Sequence, residues 1–129
     1  NYLNEEEVSQ IKENNKFNVI LTLPIFSVGS EIENYEGSGY SIYESYIFSN
    51  LMNIPYVSTF SSRVSAAQFY KVKAIKDNRD LSKVLFNNEV VLIIADINNL
   101  NKSEKDILEQ SEIIYKKDFM VYAKYKVNN

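Results

Sequence analysis

Val90-Val91-Leu92-Ile93-Ile94-Ala95 is the longest apolar run in the chain, and Asp96 closes it. A run this short and this rich in β-branched residues reads as a strand buried on both faces. It falls far below the ~20 residues of a membrane span. Phe17-Asn18-Val19-Ile20-Leu21-Thr22-Leu23 has the same near-continuous apolar character and stops at Pro24. Strands covered on both faces mark a sheet flanked by helices, usually a parallel one. These two stretches set the class as α/β.

The segments around them alternate with helical patterns. Upstream, Asn4 stands three residues before Glu7, in a capping box that Leu3 and Val8 can staple. The spacing predicts a surface helix ending near Asn14-Asn15. Ser41 to Asn53 reads as a second helix. Ser41-x-x-Glu44 is its expected capping box, Tyr43, Tyr46, Ile47 and Leu51 its apolar face, and Asn53 a left-handed stop. Tyr56 to Phe60 reads as a short strand. Val64 to Asp77 and Asp80 to Phe86 read as further helices. Downstream, Ser103-x-x-Asp106 is expected to cap a short helix. Glu112 to Lys116 and Phe119 to Val127 read as a hairpin turning at Lys117-Asp118. The expected architecture is a three-layer α/β domain over residues 1–129. Its sheet is mostly parallel, of about five strands, with an antiparallel C-terminal hairpin at one edge.

Composition excludes several classes of function. The chain has 129 residues, no histidine, no cysteine and a formal charge of -3. Without histidine there is no Ser-His-Asp or Cys-His catalysis and no ordinary zinc site. Without cysteine there are no disulfides and no thiol nucleophile. Neither metal nor cofactor is expected. No basic face stands out that would neutralise phosphates, so nucleic acid is not an expected partner. Any chemistry would run on carboxylates, Lys, Tyr, Ser or Arg.

Ligands of open α/β sheets sit beyond the carboxyl ends of the strands. Here that edge comprises Pro24 to Tyr40, Ser58 to Arg63 and Asp96 to Asn101. Arg63 follows Ser61 and Ser62 at a strand-to-helix turn, where a guanidinium suits a carboxylate or phosphate. The bland alternative is an ion pair with a loop glutamate. Gly29-Ser30-Glu31 and Gly37-Ser38-Gly39 offer an anion cradle or a plain loop. Glu31, Glu33, Glu36 and Glu44 are candidate acids, although Glu44 also has the capping role. Asp96 is either a functional acid or a turn cap. Tyr40, Tyr43, Tyr46, Tyr56 and Phe60 either stack on a sugar ring or fill core. Asn101-Lys102-Ser103 matches the N-glycosylation pattern.

One family pattern runs through these segments. It comprises the strand Phe17 to Pro24, Tyr43-Glu44-Ser45 on a helix, Asn53-Ile54-Pro55-Tyr56-Val57 leading to Ser61-Ser62-Arg63, Glu112-Ile113-Ile114-Tyr115-Lys116 and Asp118-Phe119-Met120-Val121-Tyr122. Together they resemble the soluble C-terminal domain of polytopic membrane glycosyltransferases of the GT-C type. Ser58-Thr59-Phe60-Ser61-Ser62 stands where that family has Asn-Gly-Tyr-Ser-Gly, and no proline follows Arg63. The resemblance implies an extracytoplasmic accessory domain, a fragment of a longer membrane protein, with the membrane domain of the same polypeptide as its partner. It implies no complete active site. It also implies a groove for a sugar or lipid-linked phosphate faced by Arg63 and the serines Ser58, Ser61 and Ser62; Tyr40, Glu44 and Asp96 are further candidate ligand-binding residues from the reading of the residues themselves. A free-standing ligand-binding or sensor domain, or a small carboxylate-dependent hydrolase or transferase, are the alternatives.

Overall fold

The structure is a computed structural model describing residues 2–13, 16–24, 27–28, 38–54, 59–60 and 90–126. β4 (Val90–Asp96) is central. It pairs in parallel with β1 (Val19–Leu23), Val19 opposite Val91 and Leu23 opposite Ala95. On its other side it pairs antiparallel with β6 (Met120–Lys126), Asp96 opposite Met120. β5 (Glu112–Lys117) completes the sheet on the outer side of β6, giving the order β1-β4-β6-β5.

The α/β class stands, but the sheet is mixed. Of its three pairings only β1-β4 is parallel, because the C-terminal hairpin supplies half of the strands. The strand expected over Tyr56 to Phe60 is described only in part. Its described part, β3 (Thr59–Phe60), pairs in parallel with β2 (Ser27–Val28) in a separate two-stranded ladder. The helices expected over 64–77 and 80–86 lie outside the described residues.

The continuous apolar strands are explained by two packed faces. Alternate residues Val19, Leu21, Leu23, Val91, Ile93, Ala95, Val121 and Ala123 form one cluster with Ile107 of α3 (Lys102–Glu109). The intervening Ile20, Leu92, Ile94, Met120 and Tyr122 form the other, with Ile11 of α1 (Glu5–Lys12) and Phe48 of α2 (Gly39–Met52). Each fully buried Leu or Ile contributes about 1.5–3 kcal/mol relative to exposure.

The caps show how local chemistry ends these helices. At α1 the Asn4–Glu7 capping box forms in both directions. Asn53 ends α2 in the left-handed region, φ 55°, as its type allows. Two cap assignments shift. α2 begins at Gly39 with Ser38 as its cap, so Ser41 lies inside the first turn and Glu44 is not a capping partner. α3 is capped by Asn101 with Glu104, two residues ahead of the Ser103–Asp106 pattern. At the hairpin turn Asp118 takes φ 54°, and β6 starts at Met120.

Candidate functional site

α2 packs with an unexpected face. Ser41, Glu44, Ser45 and Phe48 point inward, and Tyr40, Tyr43, Tyr46 and Leu51 are exposed. Tyr43 and Tyr46, expected to face the core, are 53% and 58% exposed. The sheet face beneath carries matching polar groups. Thr22 of β1 donates its hydroxyl to Ser45 Oγ at 2.6 Å. Tyr122 of β6 donates to Glu44 Oε1 at 2.6 Å. Ser38 donates to Asp96 Oδ2, also at 2.6 Å. A small polar stripe can be turned inward when it finds partners below, because buried polar groups are tolerated when hydrogen-bonded.

Asp96 takes up the turn-cap position. Its Oδ1 accepts from the Asn98 N–H at 3.0 Å, capping the 3-10 turn Ile97–Asn99, while its Oδ2 holds Ser38 at the start of α2. It is a joint between the end of β4 and the N-terminus of α2.

Beside that joint, where the β5-β6 hairpin turns, a cleft of about 460 Å³ opens. Tyr2, Gly39, Tyr40, Tyr43 and Glu44 line it. Phe119 supports the wall, its ring centroid 4.9 Å from that of Tyr40 in an edge-on contact. Tyr2 meets Tyr40 at 6.0 Å, also edge-on. The Tyr2 hydroxyl donates to Lys117 O and to Asp118 Oδ2, both at 3.0 Å. Lys117 Nζ donates to Tyr2 O at 3.0 Å and Glu7 Oε1 at 3.2 Å, and lies over the Tyr2 ring at 5.1 Å from its centroid. The Tyr115 hydroxyl donates to the second Glu7 oxygen, Oε2, so α1 is tied to β5 at the rim.

Glu44 is the buried carboxyl group in the wall of the cleft. It is 2% exposed, and Tyr122 is its one hydrogen-bond partner among the described residues. The electrostatics follow from this setting. Burial and the adjacent Glu44 carboxylate push the Tyr122 hydroxyl far above its ordinary value. Burial, then the hydrogen bond and charge of Asp118, then the charge of Glu44, push Tyr2 up to about 12. Glu7 is held below its ordinary value, chiefly by the Asn4 backbone N–H, then by Tyr115 and Lys117.

Three of the expected site residues, Tyr40, Glu44 and Asp96, therefore gather at one end of the sheet, and the first two share the cleft. Ser58, Ser61, Ser62 and Arg63, together with Glu31, Glu33, Glu36 and Tyr56, lie outside the described residues. Sequence reasoning missed Tyr2, Phe119 and Tyr122. Its usable signal for the inward face was the helical spacing Ser41, Glu44-Ser45, Phe48. Among the described residues no cluster of acids suits a metal ion, and no helix is long and apolar enough to cross a membrane. Compared with known proteins, the chain matches no family model, no curated protein and no solved structure.

Proposed function

We propose that this domain binds a small ligand in the aromatic cleft at the N-terminal end of α2 and is not catalytic on its own. The carrying observation is Glu44, a carboxylate buried in the wall of an open cleft with a single hydrogen bond among the described residues. Burying a charge costs several kcal/mol unless it is paired, so a packing role alone gives a poor account of it. Binding is favoured over acid/base chemistry because Asp96, the other expected acid at this end of the sheet, has both oxygens engaged by Ser38 and Asn98, and Asp118 accepts from Tyr2. The exposed tyrosine rings offer large contact faces to a small ligand, which accords with the accessory binding role implied by the glycosyltransferase resemblance. In that role the cleft would face the substrate of an attached membrane domain.

The test is a backbone NMR titration with neutral sugars, sugar phosphates, dicarboxylates and small ammonium ions. At least one class is expected to shift the resonances of Tyr2, Gly39, Tyr40, Tyr43 and Glu44 and to raise the melting temperature. If no class moves those resonances at millimolar concentration, the proposal fails.

A further inference from the structure

We propose that the ligand class of this cleft is an organic cation, an ammonium group seated against Tyr40 and Tyr43 with its charge toward Glu44. This rests on the binding reading above and names its ligand.

Three observations carry it. First, Glu44 is buried and forms no ion pair with a described residue, while Lys117 at the rim is held by Glu7. A buried carboxylate with no counter-charge among the described residues stands to gain from an arriving cation. Second, tyrosine faces attract cations through their ring quadrupole. The rim already shows this arrangement in Lys117 Nζ over the Tyr2 ring. Third, the surroundings are acidic. Asp118 accepts from Tyr2, Glu7 lies across the rim, and the charge of Glu44 is felt at the Tyr2 hydroxyl.

The same observations weigh against other ligands. A phosphate or carboxylate would meet Glu44 with like charge. The lysine at the rim is already engaged by Tyr2 O and Glu7. A neutral ring would stack on the tyrosines but bring no charge to Glu44.

The experiment uses the chain as it stands, with choline and its neutral carbon isostere dimethylbutanol as probes, followed by NMR titration and calorimetry. Choline is expected to bind about tenfold more tightly than the isostere, the scale of a desolvated cation–π contact with a charge partner. Glu44→Gln keeps the shape and an acceptor for Tyr122, and is expected to remove most of that preference. Tyr43→Leu, at an exposed position the fold does not need, is expected to weaken choline several-fold and the isostere less. Equal affinity for the two probes overturns the proposal, as does a Tyr43→Leu protein that binds choline unchanged. If neutral sugars move the cleft resonances and choline does not, the cation assignment falls and the binding reading stands. If no probe moves them, both fall.

Discussion

Replacing Tyr122 by Phe removes one oxygen atom and leaves the ring packing in place. The ring centroid stays 5.6 Å from that of Phe48 and 6.3 Å from that of Tyr115. What is lost is the 2.6 Å hydrogen bond to Glu44. A hydrogen bond to a charged group contributes about 1.5–3 kcal/mol, and a buried charge deprived of its partner costs more. Glu44 is 2% exposed but borders an open cleft, so without Tyr122 its carboxylate can turn toward the cleft and recover part of the lost bond from water. The lower part of the range applies, a loss of about 2 kcal/mol. For a domain of this size that lowers the melting temperature by roughly 6–10 °C, and the urea midpoint by about 1 M. The assay is urea unfolding of the parent, Tyr122→Phe, Glu44→Leu and the double variant. Removing both partners should cost less than the sum of the single changes, with a coupling of about 1–2 kcal/mol. A Tyr122→Phe protein within about 0.5 kcal/mol of the parent would refute the reasoning, because surface changes lie in that range.

Asp96→Ala should cost about 2 kcal/mol in urea unfolding, since it frees both Ser38 and the Asn98 N–H, while Asp96→Asn should recover part of that. In alkali, Tyr2 holds its proton up to about 12 in the folded chain against an ordinary 10.0. Its contribution is therefore complete below pH 10.0 and is lost as pH rises through 12. Tyr122 acts in the same direction, so stability should fall across that window and fall less steeply in Tyr2→Phe. In acid, Glu7 is depressed below its ordinary 4.5. Its contribution is present above that value and lost as pH falls through the folded one. Thermal melts of Glu7→Gln should show a shallower acid dependence than the parent.

Some of this protein was decided by residues adjacent in the chain. Val90 to Ala95 and Val19 to Leu23 are apolar at nearly every position, so both had to be strands covered twice. The Asn4–Glu7 box and the Asn53 stop each depend on a few contiguous residues and form as read. The hairpin is equally local. Other choices stayed open in the sequence because two patterns overlap. Ser38 and Ser41 can each start α2, and Asn101–Glu104 competes with Ser103–Asp106 at α3. At α2 the structure places Asp96, from a distant strand, where it accepts the Ser38 hydroxyl. The rotation of α2 is the same kind of choice. Its tyrosine stripe and its Ser-Glu-Ser-Phe stripe both have helical spacing, and hydrophobicity favours the tyrosines. The sheet reverses that preference, because Thr22 and Tyr122 hold donors that only the polar stripe can accept. With that stripe turned inward, the tyrosines face solvent, and Tyr2 and Phe119 come from opposite ends of the chain to join Tyr40. The strands follow from local composition. The cleft depends on which donors and acceptors meet across the fold, and only tertiary packing brings them together.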